Sequence, residues 1–363
     1  MLKILDRYIL KKFLGTFFFI VILMAMLAVV VDFAEKIEDF AKPDGPKSSE
    51  IIFDYYLNFM PYITSLLFPL YALIAVIYFT SRLAANSEII AMIGNGINFY
   101  RLLYPYMIGA LIISGIHFCA NHFVFPVANK SRTKFENTYI WKHNFQGPTD
   151  NIHIFSAKNE EIYIQHYSRS DSTAHNFSLM RYDNTGLNRF FILNAQRIKL
   201  IKYPNKWRMF NYNIRHVNGI NEKIVKGSQM DTVINLKSAD LAIRDNLKDA
   251  MSSGELVKYV KEEKSKGSGM VVPFQVEYYR RTADPFSIIV LTIIGLAISS
   301  RKMRGGMGWH LVLGMLISAL YIFMGKFSMT FSTHAGLPPV IGAWVPNIIF
   351  SVVAIYLLLK AQK

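Results

Sequence analysis

Two sets of side chains in this 363-residue sequence have the type and spacing to do chemistry. One is a series of bases beside apolar runs: Lys36 and Lys42; Lys130, Arg132 and Lys134; Arg280 and Arg281; and Lys326. Ammonium and guanidinium groups in such places can hold an anionic lipid headgroup while apolar walls hold acyl chains. Each also has a plainer reading. Glu277–Arg281 and Arg280–Asp284 are i,i+4 pairs in which both arginines neutralise acids. Lys326 can snorkel to an interface, and Lys36 can be a solvated loop charge. The other set lies in Leu83–Arg101, LAANSEIIAMIGNGINFYR. Asn86 or Ser87 can cap a short helix whose first turn holds Glu88, where the positive helix end favours a carboxylate. Ile89, Met92 and Ile93 then form an apolar edge, and Gly94 and Gly96 end the helix. Such a helix is either an interfacial turn or an element whose carboxylate docks onto a basic groove of a separate protein.

Other chemistries find little support. Gly45-Pro46-Lys47-Ser48 lacks the spacing of a nucleotide-binding loop, and no G-x-x-x-x-G-K-[ST] occurs. His117, Cys119 and His122 diverge around a helix, which argues against a metal site. No nucleophile–base pair or paired carboxylates stand at usable spacing, so the expectation is a non-enzyme without cofactor. An ion-coupled carrier would place charges at mid-membrane depth, whereas the ionisable residues here cluster at the ends of apolar runs.

The elements that must position these residues are membrane helices. At 52% hydrophobic and a mean hydropathy of +0.24, the chain is too apolar for an ordinary soluble domain. Runs of about 20 apolar residues can span a bilayer. Six occur: Phe13–Val31, Met60–Thr80, Leu102–Phe125, Phe286–Ser300, Trp309–Phe331 and Val340–Leu359. The fourth is short, so its helix must begin earlier, inside the polar segment Glu277–Asp284. The first run lacks a small-residue cleavage site and reads as a retained helix. Lys3, Arg7, Lys11 and Lys12, then Arg82 and Arg101, then Arg301, Lys302 and Arg304, then Lys360 and Lys363 all fall on one side, which the positive-inside rule makes cytoplasmic. Ala34–Leu57 instead carries six acids against three lysines, as expected outside.

Between the two helical triplets the periodicity changes to that of strands. Ile152–Ser156, Glu161–Tyr167, Phe177–Tyr182, Phe190–Lys202, Trp207–Val217 and Met230–Leu236 are separated by Asp183-Asn184-Thr185-Gly186, Tyr203-Pro204-Asn205 and Asn218-Gly219 turns. The pattern suggests a sandwich or jelly roll. Ser252 and Glu255 make a capping-box pattern ahead of a polar helix, and Lys266-Gly267-Ser268-Gly269 reads as a hinge. The expected layout is residues 1–126 with a short helix near 84–96, an all-β domain at 127–272, and 273–363. Val127–Val272 holds 23 Lys and Arg against 14 Asp and Glu. That basic balance, placed outside the membrane, suits an anionic lipid headgroup or acidic protein face and makes nucleic acid an unlikely partner. Arg181–Arg215 contains eight of these bases, read equally as a solvated sheet face or a binding surface. The single cysteine, Cys119, excludes an intrachain disulfide.

The Leu83–Arg101 loop, the opening LDRYILKKFLGTF, and the later segments SSRKMRGGMG and GLPPVIGAWVPNIIF together resemble the LptF/LptG permease family, membrane subunits of the lipopolysaccharide export ABC transporter. The LDRYI start and GLPP…PN ending resemble its LptG branch more than its LptF branch. The resemblance implies three spans, a periplasmic β-jellyroll and three more spans in the inner membrane of a Gram-negative bacterium, with both termini cytoplasmic. It implies a coupling helix that engages an LptB-like ATPase dimer, with Glu88, Ile89, Met92 and Gly94 as its contact residues. It also implies a homologous LptF-like permease, an LptC-like membrane-anchored jellyroll protein, a periplasmic LptA-like bridge, and lipopolysaccharide as substrate. The family places basic contacts at the outer ends of spans one and three. Here Asp32 stands near the first position with Lys36 one turn later, and Lys130, Arg132 and Lys134 follow span three with Glu136 among them. From the residues alone, a membrane-anchored periplasmic scaffold without transport is the competing reading.

Overall fold

A computed structural model describes residues 3–140, 149–168, 171–183, 185–186, 188–202, 205–236, 247–267, 271–300 and 306–361. The bases Arg301, Lys302, Arg304 and Lys363, the residues Asn184, Tyr203 and Pro204 of the turns, and Ser268 and Gly269 of the hinge lie outside them. In chain order the elements are α1 (Ile4–Phe40), α2 (Ser48–Glu50), a π-helical turn Ile51–Tyr56, α3 (Leu57–Ala85), α4 (Glu88–Gly94), α5 (Phe99–Cys119), a π-helical turn Ala120–Val124 and α6 (Phe125–Tyr139). Then come β1 (Asp150–Ala157), β2 (Glu160–Ser168), β3 (Thr173–Tyr182), β4 (Arg189–Lys202), β5 (Lys206–Asn218) and β6 (Asn221–Val233). They are followed by α7 (Leu247–Ala250), α8 (Ser253–Lys266), α9 (Val271–Ser299), α10 (Gly306–His334) and α11 (Pro339–Lys360). Six helical stretches are long and apolar enough to cross a membrane, three before the sheet and three after it. Two compact units result: Met1–Ile140 with Asp249–Leu256 and Val272–Lys363, and Trp141–Lys248 with Val257–Val271.

In the helical unit α3 is the central post. Phe68, Tyr71, Ala72, Ala75 and Val76 join a cluster with Ile9, Phe13 and Phe17 of α1 and Leu102, Tyr106 and Ala110 of α5. Leu73 and Ile77 instead pack with Leu291 and Ile294 of α9, Tyr321 of α10 and Phe350 of α11. Small residues let these helices approach. A Cβ at Gly109 would lie 2.5 Å from the Phe13 ring, and one at Gly295 would lie 2.8 Å from Leu73. The fourth span begins at Val271, earlier than its apolar run, and so carries Glu277–Asp284 inside the helix. Pro285 deprives the Arg281 carbonyl of its helical donor; the Asn121 side-chain amide supplies one at 3.2 Å. Asn347 caps the Ala283 carbonyl in the same way at 2.8 Å. The capping box read from Ser252 and Glu255 is made: Glu255 N donates to Ser252 Oγ at 3.2 Å, and Ser252 N to Glu255 Oε2 at 2.7 Å.

The β unit is one six-stranded antiparallel sheet whose strands neighbour each other in chain order. The last strand lies earlier than the apolar pattern suggests. It occupies Asn221–Val233, entered through the Asn218-Gly219 turn, and most of its residues are exposed, so burial imposes no alternation on them. Ile234 and Leu236 leave the sheet and are buried in its core. There Leu236 O accepts from Trp207 Nε1 at 3.0 Å, and Asn235 donates to Ser156 O on β1 at 2.6 Å. The segment after the last strand thus meets the first strand, and the sheet curls around its own core.

A crease crosses all six strands. The paired positions step over Asn151, Gln165, Asn176, Gln196, Asn211 and Ser228 in every one of the five ladders. Asn151, Asn176 and Asn211, on alternate strands, have φ of 52°, 51° and 49°, in the left-handed region that asparagine tolerates better than most residues. Asn176 donates to Gln165 at 2.5 Å and Asn211 to Gln196 at 2.7 Å. Core residues flank the rung three apart instead of two: Ile164 and Tyr167, Ala174 and Phe177, Ala195 and Ile198, Met209 and Tyr212. Each strand therefore carries one extra residue at the same level, so the inward face changes parity there while the pairing register does not shift.

Candidate functional site

The short helix α4 follows a sharp turn in which Ser87 takes φ 61°. Ser87 makes no side-chain cap; Asn86 instead donates to Glu88 Oε1 at 3.3 Å. Glu88 is half-buried, and its other oxygen accepts from the Tyr8 hydroxyl at 3.3 Å. The apolar edge faces inward. Ile89 is 1% exposed, and Met92 and Ile93 pack on the same cluster. What α4 presents to solvent is Ile90, Ala91 and Gly94. Ile90, 54% exposed, was invisible to a reading that sought one apolar face.

A second group gathers at the C-terminal end of α1. The π-helical turn Ile51–Tyr56 widens the helix so that the successive side chains Tyr55 and Tyr56 both turn inward. Tyr55 OH donates to Asp32 at 3.1 Å and Tyr56 OH at 3.3 Å. Lys36 pairs with Asp32 at 2.7 Å and Glu136 at 3.4 Å, and also donates to Tyr55 OH. Arg132 pairs with Glu136 at 2.7 Å, donates twice to Asn129, and stacks 3.8 Å from the Tyr62 ring centre. Asp32, Arg132 and Glu136 are buried. Two cations and two anions thus neutralise one another where α1, α3 and α6 meet. The i,i+4 spacings Asp32–Lys36 and Arg132–Glu136 were the sequence signal for it.

On α9, Arg280 pairs with Glu277 at 2.8 Å and Asp284 at 3.3 Å, and Arg281 pairs with Glu277 at 3.0 Å. Arg281 also reaches Ser253 Oγ at 3.3 Å. Lys42 pairs with Asp39 at 2.6 Å, and that carboxylate holds the Lys42 ammonium above the usual lysine range. Lys130, Lys134 and Lys326 are exposed and make no ion pair among the described residues. Lys130 and Lys134 share one face of α6 at i,i+4. The structure therefore brings Lys36 and Arg132 together and Arg280 and Arg281 together, each pair balanced by acids.

In the β unit the concave side holds a groove of about 370 Å³, lined by Leu179, Phe191, Leu193, Met209, Ile214 and Met230 among others. At its rim Arg181 pairs with Glu160 at 2.6 Å and lies 4.9 Å from the Phe191 ring centre.

Three membrane-length helices, a β domain and three more such helices follow one another in a chain whose sequence matches a known family almost throughout. The family described as lipopolysaccharide export system permease LptF/LptG matches residues 7–360. The chain belongs to the LptF/LptG family. Among its relatives is the lipopolysaccharide export system permease protein LptG of Escherichia coli K12, 21% identical over 363 residues and covering 98% of each chain. The LptG protein of Haemophilus influenzae is 21% identical over 385 residues and covers both chains fully. Membership places α4 and the charged helix ends in an LptF/LptG permease, a multi-pass membrane protein of lipopolysaccharide export.

Proposed function

We propose that the chain is the membrane subunit of an ATP-driven exporter that takes lipopolysaccharide from the outer leaflet of the inner membrane and passes it to a periplasmic bridge. The observation that carries this reading is the family match across residues 7–360. An LptB-like ATPase dimer engages α4 from the cytoplasm, with Glu88 as the coupling carboxylate and Ile90 and Gly94 on the contact face. Ile89 and Met92 serve this contact from behind, as anchors that fix α4 to the helical core.

A homologous LptF-like permease completes the cavity. The exposed apolar face of α1, with Leu23, Met26, Leu27, Val30 and Val31, is this subunit's side of the lateral entrance. Lys130, Lys134 and Lys326, exposed and without a bonded acid among the described residues, take the glycolipid phosphates. Lys36, Lys42, Arg132, Arg280 and Arg281 set the polar wall around them. The β domain receives the glycolipid together with the domain of an LptC-like protein and hands it to an LptA-like bridge. Edge strands of such domains join by β-augmentation.

The test is reconstitution of the assembled transporter in proteoliposomes with Glu88→Ala or Glu88→Lys. Both variants are expected to assemble, and to release lipopolysaccharide on ATP addition at less than a tenth of the native rate. Unchanged ATP-driven release would overturn the coupling role of α4.

A further inference from the structure

Both ends of the segment carrying α4 are fastened to the first turns of α1. At its start, Tyr8 donates to Glu88 Oε2 at 3.3 Å. At its exit, Arg101 Nη2 meets Asp6 Oδ2 at 2.6 Å, across 95 positions of sequence. The Asp6 side chain is 2% exposed, and its Oδ2 also accepts from Lys3 N at 2.8 Å. The acid is thus held by its own helix end and by the entrance to α5 at once.

The chain between α4 and α5 is a poor conductor of force. Gly94, Asn95 and Gly96 are exposed, and Gly96 has φ +83°. Glycine has the widest backbone freedom of any residue, so a pull on α4 would be absorbed in this turn. The links to α1 do not run through it: Tyr8 and Ile9 meet Glu88 and Ile89 on α4 itself, and Asp6 meets Arg101 on α5 beyond the turn. Beyond the pair, α1 and α5 pack without slack, because Gly109 of α5 leaves room only for the Phe13 ring of α1. Ile9 and Phe13 share a buried cluster with Ile89 and Leu102. The Asp6 carboxylate is buried while the Arg101 side chain is 37% exposed, so moving Arg101 away would leave a buried acid with Lys3 N as its remaining partner.

We propose that Asp6 and Arg101 are a latch that makes α5 move with α1, so that ATPase movement passed from α4 to α1 through Tyr8 and Ile9 tilts the two helices together at the lateral entrance. The inference rests on the coupling role of α4 proposed above. Asp6 and Arg101 touch neither the ATPase nor the glycolipid and act as positioning residues.

The experiment uses the whole reconstituted transporter and reads glycolipid released per ATP hydrolysed, a ratio that a merely structural pair does not move. Arg101→Gln and Asp6→Asn, the latter keeping an acceptor for Lys3 N, are each expected to lower that ratio at least fivefold while ATP hydrolysis per assembled complex stays within twofold. Arg101→Lys, which restores the charge, is expected to recover most of the native ratio. A native ratio in Arg101→Gln and Asp6→Asn, beside a Glu88→Ala variant that no longer releases glycolipid, overturns the latch and leaves the coupling reading standing. Full release from Glu88→Ala overturns the coupling reading itself. If a variant assembles poorly, the ratio is taken on the complex that forms; release falling only in proportion to assembled complex also overturns the latch.

Discussion

Lys36 and Asp32 are one turn apart on α1 and 2.7 Å apart in space, with 15% and 11% of their side chains exposed. The base that a sequence reader offers to an incoming phosphate is therefore already answered within its own helix. Glu136 answers it a second time from α6.

Removing one member of this group strands the others. Lys36→Met is expected to destabilise the helical unit by about 3–5 kcal/mol, the cost typical of breaking a buried pair from one side. Lys36→Met combined with Asp32→Asn is expected to recover much of that loss. Thermal unfolding in mild detergent compares the two, and equal melting temperatures for the single variant and the native chain would refute the structural role.

Adjacent isoleucines on α4 are expected to separate folding from docking. Ile89→Ala empties a buried site and is expected to cost about 2–5 kcal/mol. Ile90→Ala leaves stability within about 0.5 kcal/mol, as exposed substitutions usually do. It is nevertheless expected to reduce co-purification with the ATPase several-fold, read by quantitative pull-down beside the melting curve.

The crease calls for left-handed backbone at Asn176. Asn176→Gly keeps that conformation accessible, and stability is expected to remain within about 1 kcal/mol of native. Asn176→Val brings a β-branched side chain to a φ of 51° and is expected to cost about 2 kcal/mol. Differential unfolding of the two variants, followed by circular dichroism, measures the contrast.

Acid should loosen the β unit in a defined order of sign. The Arg208 guanidinium beside Asp231 holds its carboxyl below the usual carboxylate range, and a hydrogen bond with His166 does the same for Asp150. A carboxyl whose folded pKa is depressed contributes stability above its unfolded value, near 3.9 for Asp, and loses it as pH falls through the folded value. The contribution is therefore complete at neutral pH and disappears below about pH 4. Asp231→Asn is expected to lower stability at neutral pH and to leave it unchanged in strong acid, flattening the acid limb, measured by denaturant unfolding at a series of pH values.

Much of this fold was legible because lipid and water impose strong patterns. Six apolar runs, the switch to strand periodicity after α6, and the Ser252–Glu255 cap all follow from local rules. Three features were not local. The strand Asn221–Val233 is an exposed edge, so burial imposed no alternation on Glu222 to Lys226. Ile89 and Ile90 differ only in which side of α4 meets the core, which depends on the tilt of a seven-residue helix. The charges of Lys36 and Arg132 depend on Tyr55, Tyr56 and Glu136 arriving from other helices. Their own i,i+4 acids stood in the sequence but could not say whether the pairs would be buried.

The crease also binds the six strands in heredity. Because each strand carries its extra residue at the same level, deleting Gln196 alone would bring Ala195 and Ile198 two apart, the spacing of an ordinary strand, against neighbours that keep theirs three apart. Both halves of β4 would still face the core, but Asn176 and Asn211 would have no residue opposite them and the bond from Asn211 to Gln196 would be lost. A change of length at this level leaves the rung whole only when all six strands share it, so single-strand changes are better borne at the hairpin ends.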